Sequence, residues 1–190
     1  MSTPSMSVPV PAALLKIYVG HAVTGASRTF ADKATQFKSR FAGRVSPVGV
    51  VYDYLNCSAG VPVDDEAAAR HCMRRCAPQS DVMIALVGEA STTLGLEMAL
   101  ALALGIPVFA IAEKEQRLSR IVRRCGTVWT HFQFLLCDNL ENDGVELVCK
   151  EIEAFNAARI ARLDAALSLF LQPPASVPGA ASQGVTAAAA

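Results

Sequence analysis

Between Asp81 and Ala112 the chain reads DVMIALVGEASTTLGLEMALALALGIPVFAIA, two short runs apolar at every position on either side of a stretch of helical length. A half-exposed strand alternates polar and apolar residues, so strands like these must be covered on both faces. Strand, helix and strand in that order form a right-handed crossover unit with parallel strands. Thr92 to Leu104 is the predicted helix, Gly105 its C-terminal stop, and Pro107 opens the next strand.

The same alternation extends outward. Leu14 to Val19 is an apolar run ended by Gly20, and Ser27 to Phe41 carries Phe30, Ala34, Phe37 and Phe41 at helical spacing. Val45 to Tyr52 is a second strand, interrupted by Pro47 and Gly49. Asp64 and Asp65 introduce an Ala- and Arg-rich helix to about Cys76, where acids suit the helix dipole. Gln116 to Arg124 reads as helix, Phe132 to Cys137 as a fifth strand, and Gly144 to Leu171 as one or two closing helices. The expectation is one α/β domain over residues 14–171, with a five-stranded, mainly parallel sheet between layers of helices. Residues 1–13 form a Pro/Ser-rich lead-in, and residues 172–190 an Ala/Pro-rich tail expected to be disordered.

Composition narrows the function. Of 190 residues, 52% are hydrophobic, and 17 basic residues balance 17 acidic ones, so no net field draws the chain to nucleic acid or anionic lipid. The most apolar stretch, Met98 to Ala112, is too short to span a bilayer and is broken by Gly105 and Pro107. Cys57, Cys72, Cys76, Cys125, Cys137 and Cys149 include no C-x-x-C pair, so the expectation is reduced thiols and no metal. The N-terminus has no positive region typical of a targeting peptide, and a cytoplasmic location is expected. The partner that fits is a small molecule.

Parallel sheets bind ligands beyond the carboxyl ends of their strands, near the switch in strand order. That selects two loops, Gly20–Ser27 and Gly88–Gly95. Just past the second lies Glu97, the only charged residue from Ala90 through Ala112. Burying a carboxylate is costly unless something pairs or uses it. It falls early in its helix, where the helix dipole favours negative charge. Two readings stand: a functional carboxylate in the cleft, or a first-turn acid completing a capping box after a shift of the cap.

The stretch DVMIALVGEASTTLGLEMALALALG (Asp81 to Gly105) resembles the nucleoside 2-deoxyribosyltransferase superfamily, with the family's G-x-E helix start at Gly95, Leu96 and Glu97. RLSRIVRR (Arg117 to Arg124) and KIYVGHAVTGAS (Lys16 to Ser27) are similar to segments of its nucleotide branch, the 2'-deoxynucleoside 5'-phosphate N-hydrolases. The resemblance spans roughly residues 15–125. It implies a flavodoxin-like fold and cleavage of an N-glycosidic bond, with Glu97 as the nucleophile that forms a glycosyl-enzyme ester.

The resemblance also orders the polar residues. Ser91 stands six residues before Glu97, where the nucleotide hydrolases carry serine and the transferases aspartate; a hydroxyl donates to a phosphate that a carboxylate would repel. Ser119 matches a serine that reaches the phosphate from a neighbouring subunit, which implies a homodimer. Either serine also reads as a helix cap. Gly20, His21 and Gly25 stand in the family's phosphate loop, with His21 in place of its serine and Val23 in place of its first arginine. A further family aspartate is missing, with Met73 at its spacing beside Arg74 and Arg75.

The leading expectation is therefore a hydrolase of nucleoside 5'-monophosphates that needs no cofactor. The alternatives are a nucleoside deoxyribosyltransferase, and a nucleotide-binding or sensing domain without turnover.

Overall fold

The structure, a computed structural model, describes residues 14–23, 25–52, 73–74, 77–116 and 118–170. Strands β1 (Leu15–His21), β2 (Gly49–Tyr52), β3 (Val82–Leu86), β4 (Val108–Glu113) and β5 (Phe132–Cys137) form one sheet in the order β2-β1-β3-β4-β5. Every neighbouring pair is parallel. This is the flavodoxin-like order, whose switch point lies between β1 and β3. Helices α1 (Arg28–Val45), α2 (Thr92–Ala103), the short α3 (Arg120–Arg124) and α4 (Val145–Phe170) complete the described elements, with 3-10 turns at Ala77–Gln79 and Cys125–Thr127 and a π turn at Leu140–Gly144.

Period-two alternation sends the strand residues to two separate cores. On one face Leu15, Ile17, Val19, Ile84, Leu86 and Ile111 pack with Phe30, Phe37 and Phe41 of α1 and Val148 and Ile152 of α4. On the other, Met83, Ala85, Val87, Ala110 and Ala112 meet Leu94, Met98, Ala101 and Leu102 of α2. The first face is built of large aromatic and branched side chains. The second is rich in alanine, which lets α2 lie close to the sheet.

The helix ends follow local chemistry. Ser27 caps α1 by accepting from the Phe30 N–H, and the apolar stripe continues through Val45, so α1 takes up the first residue expected of the second strand. After α2, Gly105 adopts φ 75°, the Gly105 N–H donates to the Leu102 carbonyl and the Ile106 N–H to Ala101. That pairing is a Schellman stop, whose left-handed position favours glycine. Asn139 begins the π turn leading into α4, a single closing helix. Burial raises the Cys137 and Cys149 thiols, each to about 11.

Asp81 joins the starts of β1 and β3: its carboxylate accepts from the Lys16 N–H at 2.7 Å, and its own N–H donates to the Lys16 carbonyl. It therefore stands at the amino ends of the strands, away from the edge where ligands bind, and fixes register. No helix among the described residues is long and apolar enough to cross a membrane. The expected helix after Asp64 and Asp65 lies outside the described residues apart from Met73 and Arg74, as do the lead-in and the tail.

Candidate active site

The N-cap of α2 is Ser91, whose Oγ accepts from the Leu94 N–H at 3.2 Å. A capping-box acid would then stand at position 94, which is leucine, so the box does not account for Glu97. Glu97 lies on the same stripe as Leu94, Met98, Ala101 and Leu102, the stripe that α2 turns to the sheet. Its side chain is 3% exposed; among the described residues only Ser80 joins it as a buried polar group. A carboxylate has been placed in a core stripe.

What makes room for it is Gly20, near the carboxyl end of β1. A Cβ at Gly20 would stand 3.1 Å from Glu97 Oε2, 2.9 Å from Leu94 Cδ1 and 3.2 Å from Met83 Cε. Gly20 pairs in register with Ala85 and His21 with Leu86, so this contact lies across the β1–β3 switch point. The carboxylate thus lies close to the switch point of the sheet.

Ser91, Gly95 and Ser119 come together around the first turns of α2. They line a cleft of about 320 Å³ with Val87, Met98 and Leu118 among the other walls. Ser119 caps α3 by accepting from the Ile121 N–H at 3.2 Å. Both serines are therefore caps and cleft residues together, and each hydroxyl still has a proton to donate. Within one chain they share a single cleft. Glu97 is not among its lining residues, but Leu94 is, and Leu94 also stands against Gly20. The sequence-derived residues thus form two groups, Gly20 with Glu97 and Ser91 with Gly95 and Ser119, joined through Leu94.

His21 ends β1 half-buried, beside Gly20. Gly25 stands apart: it is exposed, with φ 77° and nothing within 4 Å of a Cβ placed on it. Its glycine is explained by backbone conformation. His131 donates from Nε2 to the Leu102 carbonyl at 3.0 Å and packs edge-on against Trp129, a structural role. Cys125, partly buried against the α2 side of the core, has its thiol pKa raised by desolvation.

Glu89 was not anticipated. It lines the same cleft and reaches back to the first loop, where it accepts from the Ser27 N–H at 2.7 Å and from the Ser27 hydroxyl. The signal in the sequence was an acid immediately after Gly88, at the carboxyl end of a parallel strand. Leu118 and Val122 also line the cleft, from the segment RLSRIVRR, of which the sequence had singled out only Ser119.

No family model matches the chain, and no curated protein does. Among solved structures it is similar to the CMP N-glycosidase BcmB of Clostridium botulinum, with a TM-score of 0.52 and 12% identity, over 70% of this chain and 96% of that one. At that identity the likeness is one of fold.

Proposed function

We propose that the protein is an N-glycosidase of nucleoside 5'-monophosphates, with Glu97 as nucleophile. The observation that carries this reading is the buried carboxylate of Glu97, accommodated by Gly20 at the switch point and not explained by helix capping. A buried carboxylate beside the switch point of a parallel sheet is a functional candidate. The fold it shares with a CMP N-glycosidase supports the same reading.

In the proposed reaction a Glu97 oxygen attacks the anomeric carbon as the bond from that carbon to the base nitrogen breaks. The electron pair leaves with the base, which takes up a proton. Positive charge develops on the sugar ring and its anomeric carbon, and a carboxylate at that point stabilises it. Water then cleaves the glycosyl ester, releasing sugar 5-phosphate and regenerating Glu97. Ser91 and Ser119 supply hydroxyl donors for the phosphate from the cleft they share.

A second reading, nucleotide binding without turnover, is favoured by one observation: Glu97 is not among the residues lining the cleft. One experiment separates the two. Base release from a panel of nucleoside 5'-monophosphates and free nucleosides is followed by chromatography, with Glu97→Ala alongside. The glycosidase reading expects release that falls by about three orders of magnitude or more in the folded variant. Wild-type turnover in Glu97→Ala would reject the nucleophile. Nucleotide binding without release of base would establish the second reading, and transfer of the sugar to an added free base would identify a transferase.

A further inference from the structure

Among the described residues that line the cleft, Glu89 is the only one with an ionisable side chain; the others are apolar or carry hydroxyls. Its position is constrained from both ends. The carboxylate is held by the N–H and hydroxyl of Ser27, at the start of the 18-residue helix α1. Its backbone follows Gly88, where a Cβ would meet Phe30 Cε2 at 2.3 Å and the Gln116 amide at 2.7 Å. The segment is wedged between α1 and the loop after β4, so Glu89 cannot swing its charge away without breaking two hydrogen bonds at the first loop.

We propose that Glu89 is a specificity-determining residue that tempers how strongly this cleft holds the doubly charged phosphate of a nucleoside 5'-monophosphate, reducing the advantage that Ser91 and Ser119 give the monophosphate over the uncharged nucleoside. The proposal rests on the nucleotide reading of the cleft and deepens it. Two negative groups in a partly enclosed space repel more strongly than in bulk water. The phosphate monoester carries close to two charges at neutral pH. Ser91 and Ser119 can donate to it but do not neutralise it. Glu89 thus opposes the hydroxyls, and the balance between them decides how strongly the phosphate contributes to binding.

The test compares affinities for a panel of nucleosides and their 5'-monophosphates, measured by calorimetry on wild type, Glu89→Gln and Glu89→Asp. Glutamine keeps the shape and an acceptor for the Ser27 N–H while removing the charge. Glu89→Gln is expected to raise the affinity for monophosphate over nucleoside by about ten-fold, equivalent to 1.4 kcal/mol, with nucleoside affinity changed less than about two-fold. Glu89→Asp keeps the charge and leaves the wild-type ratio in place or lowers it. An unchanged or lowered ratio in Glu89→Gln overturns the proposal while leaving the nucleotide reading intact. If no nucleoside or monophosphate binds to any form, the nucleotide reading falls and this proposal with it.

Discussion

The closest test of the site's geometry is Gly20→Ala. The added methyl would stand 2.9 Å from Leu94 Cδ1, 3.1 Å from Glu97 Oε2 and 3.2 Å from Met83 Cε. All three are ends of side chains, so relief requires shifts of a few tenths of an ångström and no movement of backbone. Overpacking a core costs about 1–3 kcal/mol, and flexible partners place this site at the low end, about 1 kcal/mol. The effect on catalysis is separate from that stability cost. A misplacement of 1 Å costs about a hundred-fold in rate, so displacing the carboxylate by a few tenths of an ångström should lower kcat about three- to ten-fold. KM should change little, because Gly20 does not line the cleft. Urea denaturation gives the stability term, and initial rates of base release give kcat and KM. In a Glu97→Ala background the substitution should have no further effect on rate. A folded Gly20→Ala enzyme with unaltered kcat would refute the assignment of the Gly20–Glu97 contact to the reaction.

Gly95→Ala is the converse case. Nothing lies within 4 Å of a Cβ there, and Gly95 is in the body of α2, so the variant should gain about 0.5–1 kcal/mol in denaturant unfolding. Its methyl stands at the cleft wall, and kcat/KM should fall despite the added stability. Ser91→Gly keeps an acceptable helix cap at a cost of a few tenths of a kcal/mol, yet removes the hydroxyl; affinity for monophosphates should drop while that for nucleosides holds, by calorimetry. For Cys137 and Cys149 the folded-state pKa is raised from 9.0 to about 11, so the folded chain holds these protons more tightly than the unfolded one. Stability from this source is fully present below pH 9 and is lost as pH rises through about 11. Urea midpoints should decline across that window, and substituting both residues by alanine should flatten the decline.

The strands and most helix limits were legible because both faces of the sheet are covered. Runs such as VMIAL and VFAIA admit few other placements, and Gly105 marks its helix end by a backbone need that few other residues meet. The boundary near Val45 was missed because Val45 belongs equally to a helical stripe and to a strand run; only the packing of Phe41 and Val45 in the core under α1 decides it. Glu97 stood out as a lone charge, and its depth follows from its spacing to Leu94 and Met98. Its partner surface did not, since β1 and α2 are brought together by the strand order and not by nearness in sequence. Glu89 was hidden for a similar reason. Its role depends on Ser27, 62 residues earlier, and acids after a strand are common.

The unequal packing of the two sheet faces also bears on how such a protein can change over time. Under α1 and α4 the side chains are large and interlocked, and losing volume there weakens the fold without touching the crevice. Under α2 the small size of Ala85, Ala110 and Ala112 sets the height of the helix above the sheet. Growth of any of them to valine would lift α2 and carry Glu97 away from β1. Drift on the first face is therefore filtered by stability alone. On the second, under the proposed function, it is filtered by reach as well, and a stabilising substitution there would still silence a Glu97 nucleophile.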